Sequence, residues 1–432
     1  MNTSLIGLID LNNFYVSCER VFDPKLWGRP VVVLSNNDGA CVARSQEAKA
    51  LGIAMGVPWF QVAPLQHSHG LIALSSNYAL YGRLSQRIAA IIRSHVPQQE
   101  IYSIDESFVD LSGIADPNTL ATQLRQKILD WTHIPSCIGI ATTKTRAKLA
   151  NHIAKTHPEF QGVFNLESCT PQWQENIFRH MDVQEVWGIG RRMAKRLQNL
   201  GIHSVFDLYK ANPHELHHQI GVVLARTILE LQGKPCLNLH TQPVPQQQMV
   251  VSRSFSGLVT HINELKSALL QHTCRAAEKL RQRGLVTPAL IVFAHTHPFR
   301  TQDPQYHGHC MVPLVTPSQD TLQLVQAAVQ GLKQMYRPGY RYKKAGVMLP
   351  DLRPCHEQQS DWLDPGTSCQ RQSLMQTLDQ INQRFGQKTL VPASTLNTRR
   401  VAMRRDRCSP NYMGKWDEIF SVSCDQDFLR TW

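Results

Sequence analysis

Three carboxylates stand out in the first quarter of this 432-residue chain. Asp10 closes the apolar run SLIGLID at residues 4–10, and Asp105 and Glu106 are adjacent inside EIYSIDESFVDL at residues 100–111. Two Mg2+ ions held about 4 Å apart by carboxylates on rigid elements can activate a hydroxyl and clamp a leaving group, which is the chemistry of phosphoryl transfer. Asp10, Asp105 and Glu106 carry the charge for it. Neighbours on a strand point to opposite faces, so Asp105 and Glu106 share one centre only where the strand ends or bends. Spacing alone leaves a second reading open, a pair of solvent-facing acids on an edge strand.

Two other groups invite a chemical reading. Gly188-Ile189-Gly190, within VWGIGRRMAKRLQNLGI at 186–202, permits a tight turn that aims backbone N–H groups outward at the start of a following helix. That geometry suits a DNA phosphate, with Arg191 next in line, and resembles a helix-hairpin-helix; a plain turn between two core helices is the alternative. His295, His297, His307, His309 and Cys310 contain metal-ligating types, but they fall in a Pro-bounded stretch that reads as a loop and lack zinc-finger spacing. The 11 cysteines form no CxxC pair and are odd in number, which argues against a disulfide framework and a zinc ribbon.

Alternating strands and helices must position the acids. Residues 4–10 and 30–34 read as short buried strands, the second closed by the turn-rich Ser35-Asn-Asn-Asp-Gly39. Helices are expected at 44–51 and 78–94, where Leu84, Ile88, Ile91 and Ile92 recur at helical spacing. The acidic strand at 100–111 follows. Leu120, Leu124, Ile128 and Trp131 mark the apolar face of another helix, then come a strand at 136–141 and a basic helix at 144–155. Residues 173–234 read as wholly helical, and 235–248, rich in Pro and Gln, as a tether. A second α+β unit is expected beyond it, with strands at 250–255, 289–295 and 345–349 and helices at 263–283 and 321–335. After Asp351 the pattern weakens to one helix at 373–385 and an arginine-rich tail.

Composition narrows the class. A content of 42% hydrophobic and 18% charged residues, with 24 Gly and 24 Pro dispersed, excludes collagenous, coiled-coil and largely disordered chains. The length calls for about three domains. A formal charge of +12 favours a polyanionic partner, nucleic acid ahead of a membrane surface. No apolar run approaches the ~20 residues of a membrane span, and the first residues lack a basic leader, so a cytoplasmic protein is expected.

Four segments taken together resemble the Y-family DNA polymerases, UmuC type: Asp10-Leu-Asn-Asn-Phe-Tyr15, Val33-Leu-Ser-Asn-Asn-Asp-Gly39, Tyr102-Ser-Ile-Asp-Glu-Ser-Phe108 and Gly139-Ile-Ala-Thr-Thr-Lys-Thr-Arg-Ala-Lys-Leu-Ala150. The resemblance runs on through Gly188-Ile189-Gly190 to the C-terminal tail. It implies an α+β multidomain right hand: palm and small fingers in 1–170 (fingers about 16–75), a helical thumb in 171–234, a linker at 235–248, a little finger at 249–350 and a UmuC-type region at 351–432. It implies error-prone, template-directed addition of deoxynucleotides across lesions in the SOS response, with two Mg2+ ions held by Asp10, Asp105, Glu106 and the carbonyl of Leu11. By the same resemblance Tyr15 excludes a ribose 2′-hydroxyl, Lys148 contacts the triphosphate, and Asn36, Asn37 and Asp38 approach the nascent base pair or simply form a turn. Many relatives carry a Tyr and an Arg three apart in the fingers; this chain has Gln46 and Lys49 there, and Lys49 is the candidate phosphate contact.

Partners follow from the same source: primer-template DNA, dNTPs, a processed UmuD-type dimer, a RecA-type filament and a sliding clamp, for which Gln359-Ser-Asp-Trp-Leu363 is a degenerate candidate peptide. Basic residues 266–283 and 337–344 and the arginines at 399, 400, 404, 405 and 407 are candidate DNA or partner contacts. Two other classes fit parts of the pattern. A nucleotidyl cyclase could use a palm with paired carboxylates, and a non-catalytic DNA-binding regulator could keep the fold without the activity.

Overall fold

The computed structural model describes residues 4–242, 245–357, 369–386, 389–393, 405–410 and 412–414. Two compact units emerge, residues 1–243 with 405–432, and residues 244–404. Among the described residues no helix is long and apolar enough to cross a membrane.

The first unit begins with β1, Ile6–Leu11, and α1, Phe14–Phe22. Then come β2 (Val31–Leu34), β3 (Cys41–Arg44), the short helices α2 (Gln46–Ala50), α3 (Trp59–Val62) and α4 (Leu65–His69), and β4 (Ile72–Ser75). Helix α5 (Tyr78–Arg93) leads to β5 (Gln99–Ile101), β6 (Glu106–Asp110), α6 (Pro117–Thr132), β7 (Ser136–Ala141), α7 (Lys144–Thr156) and β8 (Val163–Asn165). Five helices close the unit: α8 (Pro171–His180), α9 (Arg191–Gln198), α10 (Val205–Lys210), α11 (Pro213–Gln219) and α12 (Val222–Leu231).

The main sheet has the order β5-β6-β1-β7-β8, so β1 is its centre and is antiparallel to both neighbours. Alternation divides its side chains between two cores. Ile6 and Leu8 pack with α7 and the helices beyond it, while Ile9 and Leu11 pack with α5 and α6. Because both faces are covered, β1 and β7 read as unbroken apolar or small residues rather than as an alternating pattern. Gly139 in β7 has no room for a side chain; a Cβ there would run into the backbone of Ala147 and Asn151, so α7 rests directly on the sheet.

A second, three-stranded sheet has the order β3-β2-β4. Its outer strands were not legible in the sequence, because four residues are too short for either period to emerge. Arg44, expected to open a helix, ends β3 instead, and Ser45 caps α2 by accepting from the N–H of Ala48. The expected strand at 100–111 is two strands joined by a turn. Trp131, expected on the apolar face of α6, is exposed beneath Lys127, and Ala121, Leu124 and Ile128 make that face.

In the second unit, β9 (Met249–Val259), α13 (Ile262–Gln282), β10 (Leu285–Thr296), β11 (His307–Ser318), α14 (Thr321–Met335), β12 (Tyr342–Leu349) and β13 (Arg353–Pro354) precede α15 (Cys369–Phe385). The sheet order is β11-β10-β12-β9, with β13 paired to β10. The stretch read as a Pro-bounded loop around His307, His309 and Cys310 is strand β11. It lies at the sheet edge, where Pro313 and Pro317 cost no ladder hydrogen bond. Helix α15 docks through Arg281, which grips both carboxylate oxygens of Asp379 at 2.7 and 2.8 Å, and through Arg371 on Asp320 at 2.9 Å.

Residues 351–432, expected as a single C-terminal region, divide between the units. Helix α15 belongs to the second, whereas residues 405–410 and 412–414 belong to the first, where Cys408 bridges to Ser75 of β4. No apolar period marks those tail residues, so their attachment was invisible before folding. The peptide at 359–363 and the arginines at 399, 400 and 404 lie outside the described residues.

Candidate active site

The strand register and a turn set the three carboxylates. Asp10 on β1 stands opposite Glu106, the first residue of β6. Asp105 belongs to the turn just before that strand, so the alternation of side chains does not separate it from Glu106. Ser103 fastens the turn. Its hydroxyl accepts from the N–H of Asp105 at 3.2 Å and of Glu106 at 3.0 Å and donates to Asp105 Oδ1 at 2.5 Å. The N–H groups of Tyr102 and Ser103 both donate to the Glu106 carbonyl, and Leu11 N–H donates to the Asp105 carbonyl at 2.9 Å, tying the turn to the end of β1.

Charge at this site is balanced by helix α7. Lys155 Nζ lies 2.6 Å from Asp10 Oδ1, and Lys148 Nζ bridges both oxygens of Glu106 at 2.8 and 2.9 Å. These lysines sit two turns apart on one helix face. Burial pushes the Asp10 carboxyl up to about 6; Lys155 pulls it back down, while the nearby charges of Glu106 and Asp105 push it further up. Lys148 is also boxed by aromatic rings, its ammonium 4.8 Å from the centre of Tyr102 and 5.1 Å from Trp187. On α2, partial burial lowers the pKa of Lys49, and the charges of Arg44 and Lys155 lower it further against the pull of Asp10. Lys155, Lys49 and Arg44 thus share one electrostatic neighbourhood with Asp10, while Lys148 belongs to Glu106.

Tyr15 enters at the start of α1, after Asn13 in the left-handed conformation at φ 48°. Its ring stacks on Tyr81 at 4.5 Å and 14° and meets Tyr78 edge-on at 5.9 Å. Tyr81 is fully buried and donates from its hydroxyl to Glu19 at 2.6 Å. In the loop between β2 and β3, Asn37 and Asp38 both have positive φ, 61° and 50°, which short polar side chains tolerate best. Asp38 is held there by the hydroxyl of Ser75 at 2.6 Å.

The glycine turn lies further along. Gly188 has φ +88°, Ile189 is buried as its anchor, and Gly190 precedes α9, whose first turn has no side-chain cap. Arg191 is exposed beside it. Among the described residues no three His, Cys, Asp or Glu side chains converge closely enough to hold an ion. Asp10 is turned to Lys155 and Glu106 to Lys148. Sequence reasoning missed Lys155, Ser103, Arg44 and Glu19. Of these only Lys155 had a readable signal, its helical phase with Lys148.

Comparisons with known proteins bear on the fold and the family. Over most of its length the fold matches Y-family DNA polymerases: a chimera built from the polymerases Dbh and Dpo4 superposes with a TM-score of 0.64, covering 80% of this chain and 98% of that one at 22% identity. A ternary complex of the Dbh polymerase follows at 0.52. The impB/mucB/samB family model matches residues 9–152, its C-terminal domain 246–362, and the HHH motif of the same family 173–202; a domain of unknown function matches 372–422. Protein UmuC of Salmonella typhimurium is 40% identical over 97% of this chain and all of its own length, and MucB of Escherichia coli 41% identical over 96% and 99%. DNA polymerase IV of Moorella thermoacetica is 28% identical over 90% of this chain. The fold and the relatives together define a DNA-directed DNA polymerase of the Y family. Within that class, the chain belongs to the UmuC, ImpB, MucB and SamB family.

Proposed function

We propose that this chain is a translesion polymerase that extends a DNA primer with deoxynucleotides by two-metal phosphoryl transfer during the SOS response. The observation that carries the reading is the pairing of Asp10 with Glu106 in register, with Asp105 at the bend beside them and two lysines neutralising the cluster. The donor set fits Mg2+, since every candidate ligand is a hard oxygen. Asp10, Asp105, Glu106 and the carbonyl of Leu11 would hold the ions, whose chemistry there would be to acidify the primer 3′-hydroxyl and to neutralise charge on the departing pyrophosphate.

The remaining residues act by position and charge. Lys155, Lys49 and Arg44 present cations to the triphosphate, and Lys148 orients Glu106 toward the primer end. Tyr15, backed by Tyr81, places its ring under the incoming sugar and excludes a 2′-hydroxyl. The N–H groups after Gly188, with Arg191, hold a DNA phosphate without reading sequence. The fingers are only three short strands and short helices. Base selection therefore rests on pairing and stacking in an open site, and that limits fidelity and admits damaged templates.

Primer-template DNA and dNTPs are the substrates. A processed UmuD-type dimer, a RecA-type filament and a sliding clamp are the proposed partners, and the cytoplasm the proposed location. Primer extension across an abasic site with Mg2+ tests the reading. The wild-type chain, supplied with those partners, is expected to bypass the site and its Glu106→Ala variant to stall. Equal bypass by both, or DNA binding without synthesis by either, overturns it.

A further inference from the structure

The tail is built into the fingers. Cys408 pairs with Ser75 as a parallel bridge, so the segment lies along the outer edge of β4. Ser75 N–H donates to the Arg407 carbonyl at 2.9 Å, and Arg407 N–H to the Ser75 hydroxyl at 3.1 Å. The guanidinium of Arg405 donates to the Ser76 carbonyl at 2.9 Å, and that of Arg407 lies 5.0 Å from the centre of the Trp59 ring. These two arginines are spent on intramolecular contacts.

Hydrogen bonds run from this segment to the nucleotide site. Asn77 caps α5 by accepting from Leu80 N–H, while its amide donates to the Ser409 hydroxyl at 3.0 Å. The Asn77 carbonyl in turn accepts from Tyr81 N–H at 3.1 Å, and the Tyr81 hydroxyl donates to Glu19, which is 1% exposed and whose charged form the neighbouring Ser409 hydroxyl also favours. Tyr81 is the platform on which Tyr15 stacks. Beyond it, Tyr412 stacks on Phe22, the last residue of α1, at 4.8 Å and 7°. The tail therefore grips both helices that carry the tyrosine cluster, α1 with Tyr15 and α5 with Tyr78 and Tyr81. A carboxylate shut away from water is placed by its hydrogen-bond donors. Here the donor is the hydroxyl of the platform ring, with the tail serine beside it.

We propose that Ser409 is a positioning residue for sugar selection, fixing the ring of Tyr15 through Asn77 and Tyr81, so that the C-terminal tail is a working part of the nucleotide site. This rests on the reading of Tyr15 as the group that excludes a 2′-hydroxyl.

The test uses the full chain in single-nucleotide primer extension with a matched deoxynucleotide or ribonucleotide. The readout is the ratio of the two kcat/KM values. Ser409→Ala and Tyr81→Phe are each expected to lower that ratio roughly tenfold, the scale of losing one hydrogen bond to a charged group. Ser409→Thr, which keeps a hydroxyl, is expected to restore most of it. Tyr15→Ala, run in parallel, reads the gate itself and is expected to collapse the ratio. If it does while Ser409→Ala and Tyr81→Phe keep the wild-type ratio, the role of the tail is overturned and the gate stands. A proportional fall for both nucleotides at unchanged ratio also overturns it, as a merely structural effect. An unchanged ratio in Tyr15→Ala removes the gate and this inference together. Should Ser409→Ala lose all synthesis, Tyr81→Phe decides by the same ratio.

Discussion

Lys155 stands 2.6 Å from Asp10, while Lys148, two turns earlier on the same helix face, holds Glu106 by both oxygens. The two lysines therefore have separable duties. Lys155→Ala is expected to raise the KM for dNTP about tenfold with a smaller change in kcat, because it removes ground-state attraction for the triphosphate. Lys148→Ala is expected to lower kcat more than KM, because Glu106 loses its alignment. Steady-state kinetics on an undamaged primer-template check both, and the reverse pattern would exchange the assignments.

Asp10→Asn, Asp105→Asn and Glu106→Ala each remove a charge that the proposed ions require. Synthesis is expected to fall on the order of a thousandfold or more, the equivalent of several kcal/mol of lost transition-state stabilisation. Affinity for primer-template DNA, measured by fluorescence anisotropy, is expected to stay within about threefold of wild type. Ser103→Ala, which frees the Asp105 carboxylate and the turn beneath it, is expected to fall between these variants and wild type. Wild-type rates in the three carboxylate variants would remove the site assignment.

Buried Glu19 makes stability depend on pH. Burial lifts its carboxyl above the ordinary 4.5; the Tyr81 and Ser409 hydroxyls pull against the rise, and the charge of Asp23 adds to it. The folded chain then holds a proton that the unfolded chain has already released. Stability contributed by this group is full below about 4.5 and is lost as pH rises through the higher folded value. Glu19→Gln cannot ionise, so its melting temperature is expected to gain on wild type as pH rises above 4.5 and to level off once pH passes the raised folded value. Parallel melting curves across that range would show that folding does not raise the Glu19 carboxyl above its ordinary value.

Arg281 and Asp379 form a nearly dry, two-toothed ion pair between α13 and α15. Arg281→Ala leaves the Asp379 charge buried without its main partner, a change that typically costs about 3 kcal/mol or more. The expected result is loss of amide-exchange protection across 369–385, with protection in β10 and β12 retained. Protection unchanged in α15 would mean that Met375 and Arg371 suffice to hold the helix.

Much of this architecture was legible in the amino-acid order because it repeats locally. The apolar period of α5, the unbroken run in β7 and the polar, Pro-rich stretch after Gly233 are statements about neighbours in sequence, and helices α5, α7 and α14 appear within a residue or two of where that pattern places them. Strands β3, β4 and β11 were not legible. Two are only four residues long, and β11 carries two prolines that only an edge position makes harmless.

The candidate site shows the same division. The acids at 10, 105 and 106 were singled out by type and adjacency, and the glycines at 188 and 190 by the turn they permit. That Asp105 falls in the turn before β6 while Glu106 opens the strand was decided by one serine hydroxyl two and three residues away and by the pairing of β1 with β6, whose residues stand roughly a hundred positions apart. The partners of the lysines were equally hidden, since a helix phase says which residues share a face but not which carboxylate meets each one. The sequence by itself determined the chemistry available to this protein: its carboxylates, its cations and its excess of positive charge. Tertiary structure alone decided which of them meet, down to the tail serine that Asn77 holds, because long-range contacts leave no period in the chain from which they could be read.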